Sequence, residues 1–118
     1  MTKIAIVILS DTETMESLGK ISNAFMLAQE AIENGDDLKI IFEGAGARWI
    51  GALEDKNHKF HELYLSIKSN ITGVCLFCAS VFGVKSKVLA ANIPLISEYK
   101  EHPSLRQLFV DGYQVITF

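Results

Sequence analysis

Residues Lys3–Leu9 (KIAIVIL) form an unbroken β-branched run closed by Ser10 and Asp11, the pattern of a strand buried on both faces. Met15, Leu18, Ile21, Phe25, Ala28 and Ile32 then recur every three or four residues, which predicts an amphipathic helix capped by Thr12 or Thr14 and stopped at Asn34-Gly35. Leu38–Phe42 (LKIIF) predicts a second strand, broken by Gly44-Ala45-Gly46. Ala47–Leu53 reads as a short helix or turn, and Phe60, Leu63, Tyr64 and Ile67 make a second helical face. Gly73–Phe77 predicts the third strand, Val81–Ala91 a helix with Lys85 and Lys87 outward, and Ile93–Ile96 a fourth strand whose Pro94 is tolerated near the strand start. Pro103 suits the first turn of a helix running through Phe109, with His102 beside its cap. Gly112 ends that helix, and Tyr113–Phe118 (YQVITF) closes the chain as a fifth strand.

Strands and helices therefore alternate, with short connections and no repeat or low-complexity segment. This predicts an α/β fold: a mostly parallel sheet of five strands with helices on both faces. Ligands and chemistry gather at the carboxyl ends of such strands. The loops of interest are Ser10–Thr14, Glu43–Gly51, Cys75–Ser80 and Ser97–His102.

The 118 residues are about half hydrophobic, enough for one domain with a core of its own. The basic residues are scattered and the net charge is −3, so a nucleic-acid partner is not expected. No apolar run reaches the roughly 18 residues of a membrane span. The opening apolar run leads into Asp11, Thr12 and Glu13 rather than a small-residue cleavage site, so it reads as a strand and the expected location is cytoplasmic.

Both cysteines, Cys75 and Cys78, fall in GVCLFCASVFGV, where the third strand hands over to a helix. The loop between them is too short for a useful structural staple. A helix start offers free backbone N–H groups and a positive dipole end, which stabilise a thiolate. The alternative is two thiols packed as small hydrophobes. C-x-x-C supplies two of the four ligands a structural zinc requires. His58 and His61 have an H-x-x-H spacing but sit in a charged, solvated segment, so no metal site is expected. The pair also resembles a thioredoxin-like redox motif, although it follows the third strand rather than the first and has no proline between the cysteines.

Other candidates carry less. EGAGARWI (Glu43–Ile50) is not a dinucleotide fingerprint, because Trp49 stands where a third glycine would be needed. Its glycines permit a tight turn. Arg48 and Trp49 are residue types that anchor interfaces when exposed, while a buried Trp49 would be ordinary core. The favoured reading is a loop lining the cysteine pocket or a subunit contact, which makes Gly44, Gly46, Arg48 and Trp49 binding candidates. Ser10, with Asp11 and Thr12, caps the first helix or takes an anion, against which the charges of Asp11 and Glu13 argue. No G-x-S-x-G elbow supports a hydrolase triad. His102 is either a proton shuttle near Cys75 or a surface histidine, and the surface reading is preferred.

Several of these features coincide in one family. The opening strand, Asn23-Ala24 in the first helix, Phe42-Glu43-Gly44 after the second strand, and Val74-Cys75 with Gly83-Val84 eight residues after the cysteine resemble the DsrE/DsrF-like (YchN-like) proteins over nearly the whole chain. The resemblance implies a three-layer α/β/α sandwich in a single DsrE-like domain, 1–118. It also implies a homo-oligomer (dimer, trimer or hexamer) with the cysteine loop near a subunit interface. No cofactor is expected. In the sulfur-relay members the cysteine at the place of Cys75 carries a persulfide and passes sulfur to a donor or acceptor protein's thiol. Cys78 matches a second cysteine of the YchN branch. The chain departs from the relay members in two places: Val81-Phe82 stands where they carry Arg-Arg, and the EGAGARWI loop is its own. The function implied is a small sulfur-handling protein with Cys75 as nucleophile and Cys78 as resolving or auxiliary thiol. The alternatives are an oligomeric ligand- or partner-binding module and a Cys75/Cys78 dithiol switch.

Overall fold

The computed structural model describes residues Met1–Phe118. Five strands, β1 (Lys3–Ile8), β2 (Asp37–Phe42), β3 (Ile71–Cys75), β4 (Leu95–Ile96) and β5 (Gln114–Thr117), form one sheet in the order β4-β3-β2-β1-β5. All four pairings are parallel. Six helices connect them: α1 (Met15–Glu33), α2 (Trp49–Glu54), α3 (His61–Ile67), α4 (Leu76–Val81), α5 (Lys85–Ala90) and α6 (Leu105–Val110). None is long and apolar enough to cross a membrane.

The strand order dictates the layers. Three successive steps, β1 to β2 to β3 to β4, run in one direction along the sheet, and right-handed crossovers put all the intervening helices on one face. The return from β4 to β5 reverses direction and carries α6 to the other face. The two apolar clusters follow this division. Ile6, Ile8, Ile40 and Phe42 pack with Phe25, Leu53, Tyr64, Ile67 and Val88 from α1, α2, α3 and α5. Ala5 and Ile41, the alternating positions, pack with Leu108 of α6 and Tyr113. The result is the expected three-layer α/β/α sandwich, with five helices on one side and one on the other.

Several boundaries differ from the pattern reading. Thr14 alone caps α1, its hydroxyl accepting the Ser17 N–H at 3.0 Å. Met15 and Ile32 leave the buried stripe, being 81% and 37% exposed. The helix has 19 residues and β1 has six, so roughly 28 Å of helix overhangs about 20 Å of strand at both ends. The third strand ends two residues earlier than its apolar run, because Cys75 is already the cap residue of α4. The helix expected over Val81–Ala91 starts only at Lys85, as α5; a separate helix, α4, precedes it over Leu76–Val81, and the two are divided at Gly83, whose φ is +67°. Ser104 caps α6, accepting the Gln107 N–H at 3.2 Å, so Pro103 precedes the cap instead of standing in the first turn.

Candidate functional site

Adjacent strands β3 and β4 send their outgoing loops to opposite faces of the sheet. A crevice opens at such a point in a parallel sheet, and three of the four loops of interest meet there. Cys75 arrives at the end of β3 and is fully buried. Its sulfur accepts the Cys78 N–H at 3.4 Å, so the thiol itself caps α4. Cys78 follows one turn later, also buried, and both cysteines are free thiols. Glu43 is the first residue after β2 and is 8% exposed. His102 comes from the loop between β4 and α6.

That loop is held tightly. Tyr99 and His102 pair across a four-residue turn: the Tyr99 N–H donates to the His102 carbonyl and the His102 N–H to the Tyr99 carbonyl, each at 2.8 Å. The two central residues, Lys100 and Glu101, have φ of +49° and +66°, left-handed values that glycine and asparagine adopt far more readily. The Phe77 N–H donates to the Glu101 carbonyl at 2.9 Å, tying the turn to the start of α4. The Phe77 ring packs on the His102 imidazole with centroids 4.8 Å apart. Backbone strain is thus concentrated at the turn that delivers His102.

The side chains converge. Cys75 Sγ lies 3.2 Å from His102 Nδ1, and the Glu43 carboxylate lies 3.7 Å from the same nitrogen. The donor atoms of Glu43, Cys75, Cys78 and His102 all fall within 4.8 Å of one another. Burial pushes the Cys75 thiol up to about 12. The Cys78 N–H opposes that shift, while the neighbouring Cys78 and Glu43 charges add to it. Burial also raises the Glu43 carboxyl, against the pull of His102. The helix start therefore favours the thiolate as the sequence suggested, but desolvation outweighs it. The Cys75 thiol faces two acceptors, His102 Nδ1 at 3.2 Å and the more distant Glu101 carbonyl at 3.8 Å. Glu43 and His102 face an open cleft of about 690 Å³, whose other walls are Tyr99, Pro103, Ser104, Leu105 and Arg106.

The remaining candidates lie elsewhere. Trp49 is fully buried, its indole N–H donating to the Ser10 carbonyl at 2.8 Å. Its reading as an exposed anchor is corrected, since it is core. Arg48 pairs with Asp11 at 3.2 Å and lies over the Phe82 ring, outside the cleft. Gly44 adopts a φ of +56°, and a Cβ on Gly46 would stand 2.2 Å from the Ile8 carbonyl oxygen. These glycines shape the turn that follows Glu43 rather than contact a ligand. The Ser10 hydroxyl is buried without a partner. His58 Nδ1 accepts the Phe60 N–H at 3.0 Å and His61 Nδ1 lies 2.7 Å from the Leu53 carbonyl, so neither histidine joins the cysteines. The surface reading of His102 is corrected: the side chain is 37% exposed but its Nδ1 is turned onto Cys75. Glu43 was missed as a site residue. Its signal was an acidic residue directly after an apolar strand, at the strand end where such sites form.

No protein-family model matches the chain. A curated relative, "Uncharacterized protein MJ0733" of Methanocaldococcus jannaschii, is 32% identical over 94 residues, covering 80% of this chain and 76% of the relative. Among solved structures, a conserved protein of unknown function from Bacteroides thetaiotaomicron, BT1422, superposes with a TM-score of 0.65 at 20% identity, over 97% of this chain and 94% of that one. That likeness concerns the fold.

Proposed function

We propose that the chain, which belongs to the same family as its Methanocaldococcus relative, is a sulfur carrier with Cys75 as its nucleophile, a reading that rests on the resemblance of its motifs to the DsrE/DsrF-like proteins. The observation that supports the reading is the 3.2 Å approach of Cys75 Sγ to His102 Nδ1 at the edge of an open cleft. A thiol held protonated by burial needs a base to become nucleophilic, and His102 is in hydrogen-bond reach.

The step is a transfer of sulfane sulfur. His102 Nδ1 takes the Cys75 proton, and the thiolate attacks the outer sulfur of a donor protein's persulfide. The Cys75 S–S bond forms as the donor's S–S bond breaks, and the leaving electron pair stays on the donor sulfur, which collects the proton from His102. No net oxidation occurs. Cys78, one turn away, is the resolving or auxiliary thiol. Transfer onward repeats the step with an acceptor thiol as nucleophile. Exposed Phe77 and Val81, 44% and 61% exposed and one turn apart on α4, suit the homo-oligomer or donor contact that the resemblance implies beside the cysteine loop. The working compartment in this reading is the cytoplasm.

The test is loading with a low-molecular-weight persulfide, followed by alkylation and mass spectrometry. One added sulfur on the Cys75 peptide is expected, and equal loading of Cys75→Ser would sink the reading. The second reading, a ligand-binding module, is favoured by the cleft of about 690 Å³. It predicts thiols that stay inert to alkylating reagent in the folded chain.

A further inference from the structure

We propose that Glu43, Cys75, Cys78 and His102 form a binding site for one thiophilic divalent cation of the Zn²⁺ class. Three strand ends contribute the four side chains, and their donor atoms lie within 4.8 Å of one another. Tetrahedral zinc with bonds of about 2.0–2.3 Å spaces its donors roughly 3.3–3.8 Å apart. The separations here of 3.2 Å between Cys75 Sγ and His102 Nδ1, and 3.7 Å between that nitrogen and the Glu43 carboxylate, are already close to this.

The arrangement is not that of a proton relay alone. In a nucleophile–histidine–acid triad the acid sits on the ring nitrogen opposite the nucleophile. Here thiol and carboxylate face the same nitrogen, so the groups point at a common centre rather than along a chain. Glu43 supplies the independent sign. It is 8% exposed and no lysine or arginine pairs with its carboxylate; the side-chain partners it has are the His102 imidazole, 3.7 Å away, and the Cys75 thiol. A carboxylate this buried stays ionised only beside a positive charge, which a cation held by the two sulfurs and the imidazole would supply. Two sulfurs and an imidazole select zinc over magnesium or calcium. Glu43, the one hard oxygen donor, also lines the cleft and is the ligand best placed to exchange. A cation held by Cys75 keeps that sulfur from carrying sulfane sulfur, so occupancy and loading exclude each other. The site itself does not depend on the sulfur-carrier reading.

The test is titration of the reduced, metal-free chain with Co²⁺, followed by displacement with Zn²⁺. The expected result is one Co²⁺ per chain, with thiolate-to-cobalt absorption in the near ultraviolet and the visible bands of a four-coordinate ion. Cys75→Ser/Cys78→Ser and His102→Ala should lose these bands, Glu43→Gln should bind about tenfold or more weakly, and His58→Ala/His61→Ala should bind normally. Absence of the thiolate band in the native chain, or its persistence in the double cysteine variant, overturns the proposal. Circular dichroism checks the fold of each variant. If the cysteine variant does not fold, His102→Ala carries the test, and undiminished Co²⁺ affinity in that variant is equally fatal. Persulfide loading is read by mass, so a chain that binds Co²⁺ but takes no sulfur refutes only the carrier reading, and the converse refutes only the cation site.

Discussion

Cys75 Sγ and His102 Nδ1 stand 3.2 Å apart although 27 residues separate them in the chain. The strand order produces this contact, because β3 and β4 are neighbours whose exits turn to opposite faces. Glu43 adds a negative charge beside the pair and raises the Cys75 thiol further. Removing that charge should therefore help the thiol ionise. We expect Glu43→Gln, in the presence of chelator, to alkylate faster at Cys75 than the native chain at pH 7–8. Time-resolved iodoacetamide labelling read by mass spectrometry checks this. A slower rate in a folded variant would show that Glu43 activates the thiol instead.

The same burial predicts a pH dependence of stability in the chelated chain. Cys75 is raised from its ordinary value of 9.0 to about 12. The folded state therefore keeps a proton that the unfolded chain releases above pH 9. The contribution is fully present below pH 9 and is lost as the pH rises toward 12. Urea unfolding should show a midpoint that falls over this range, and Cys75→Ala should fall less steeply than the native chain. Parallel slopes for the two proteins would contradict the shift.

Much of the fold was legible because the strands are unbroken apolar runs and their ends carry strong punctuation, such as Asn34-Gly35 and Gly112. Cys75 and Cys78 were legible as a site from their place at a strand exit. Residues whose role depends on a neighbour distant in sequence were not. His102 looks like a surface residue until β4 is set beside β3, and Glu43 looks like the start of a glycine turn until the crevice is closed by the loop from β4. Trp49 shows the converse: the type and loop position suit an interface, yet the ring fills the core because the short helical turns after Glu43 direct it inward. The break at Gly83 escaped the periodic pattern because Val81, Val84 and Val88 continue a helical spacing across it.

The strained turn at Lys100 and Glu101 should respond to residues that prefer left-handed backbone. The two positive φ values, +49° and +66°, belong to the turn type that favours Asn-Gly at its centre. The double variant Lys100→Asn/Glu101→Gly should be more stable by about 1 kcal/mol. Both native side chains are exposed, so little packing is lost. Differential scanning calorimetry should record a higher Tm. An unchanged or lower Tm would mean that the turn is not a reservoir of strain.

Two glycines should respond to alanine in opposite ways. Gly46 packs against the end of β1, where an added Cβ would lie 2.2 Å from the Ile8 carbonyl oxygen and 2.9 Å from its carbon. Backbone cannot move aside as a side-chain tip can, so Gly46→Ala should cost about 2–3 kcal/mol. Because Gly46 lies just beyond Glu43, the shift should also disturb the convergence on His102. Gly19 lies on the exposed face of α1 with nothing within 4 Å of the added carbon. There alanine relieves the helix of glycine's backbone freedom, and Gly19→Ala should add about 0.5–1 kcal/mol. Denaturant midpoints of the two variants, measured beside the native chain, should move to opposite sides of it. A tolerated Gly46→Ala would contradict the close approach that holds Glu43 at the site.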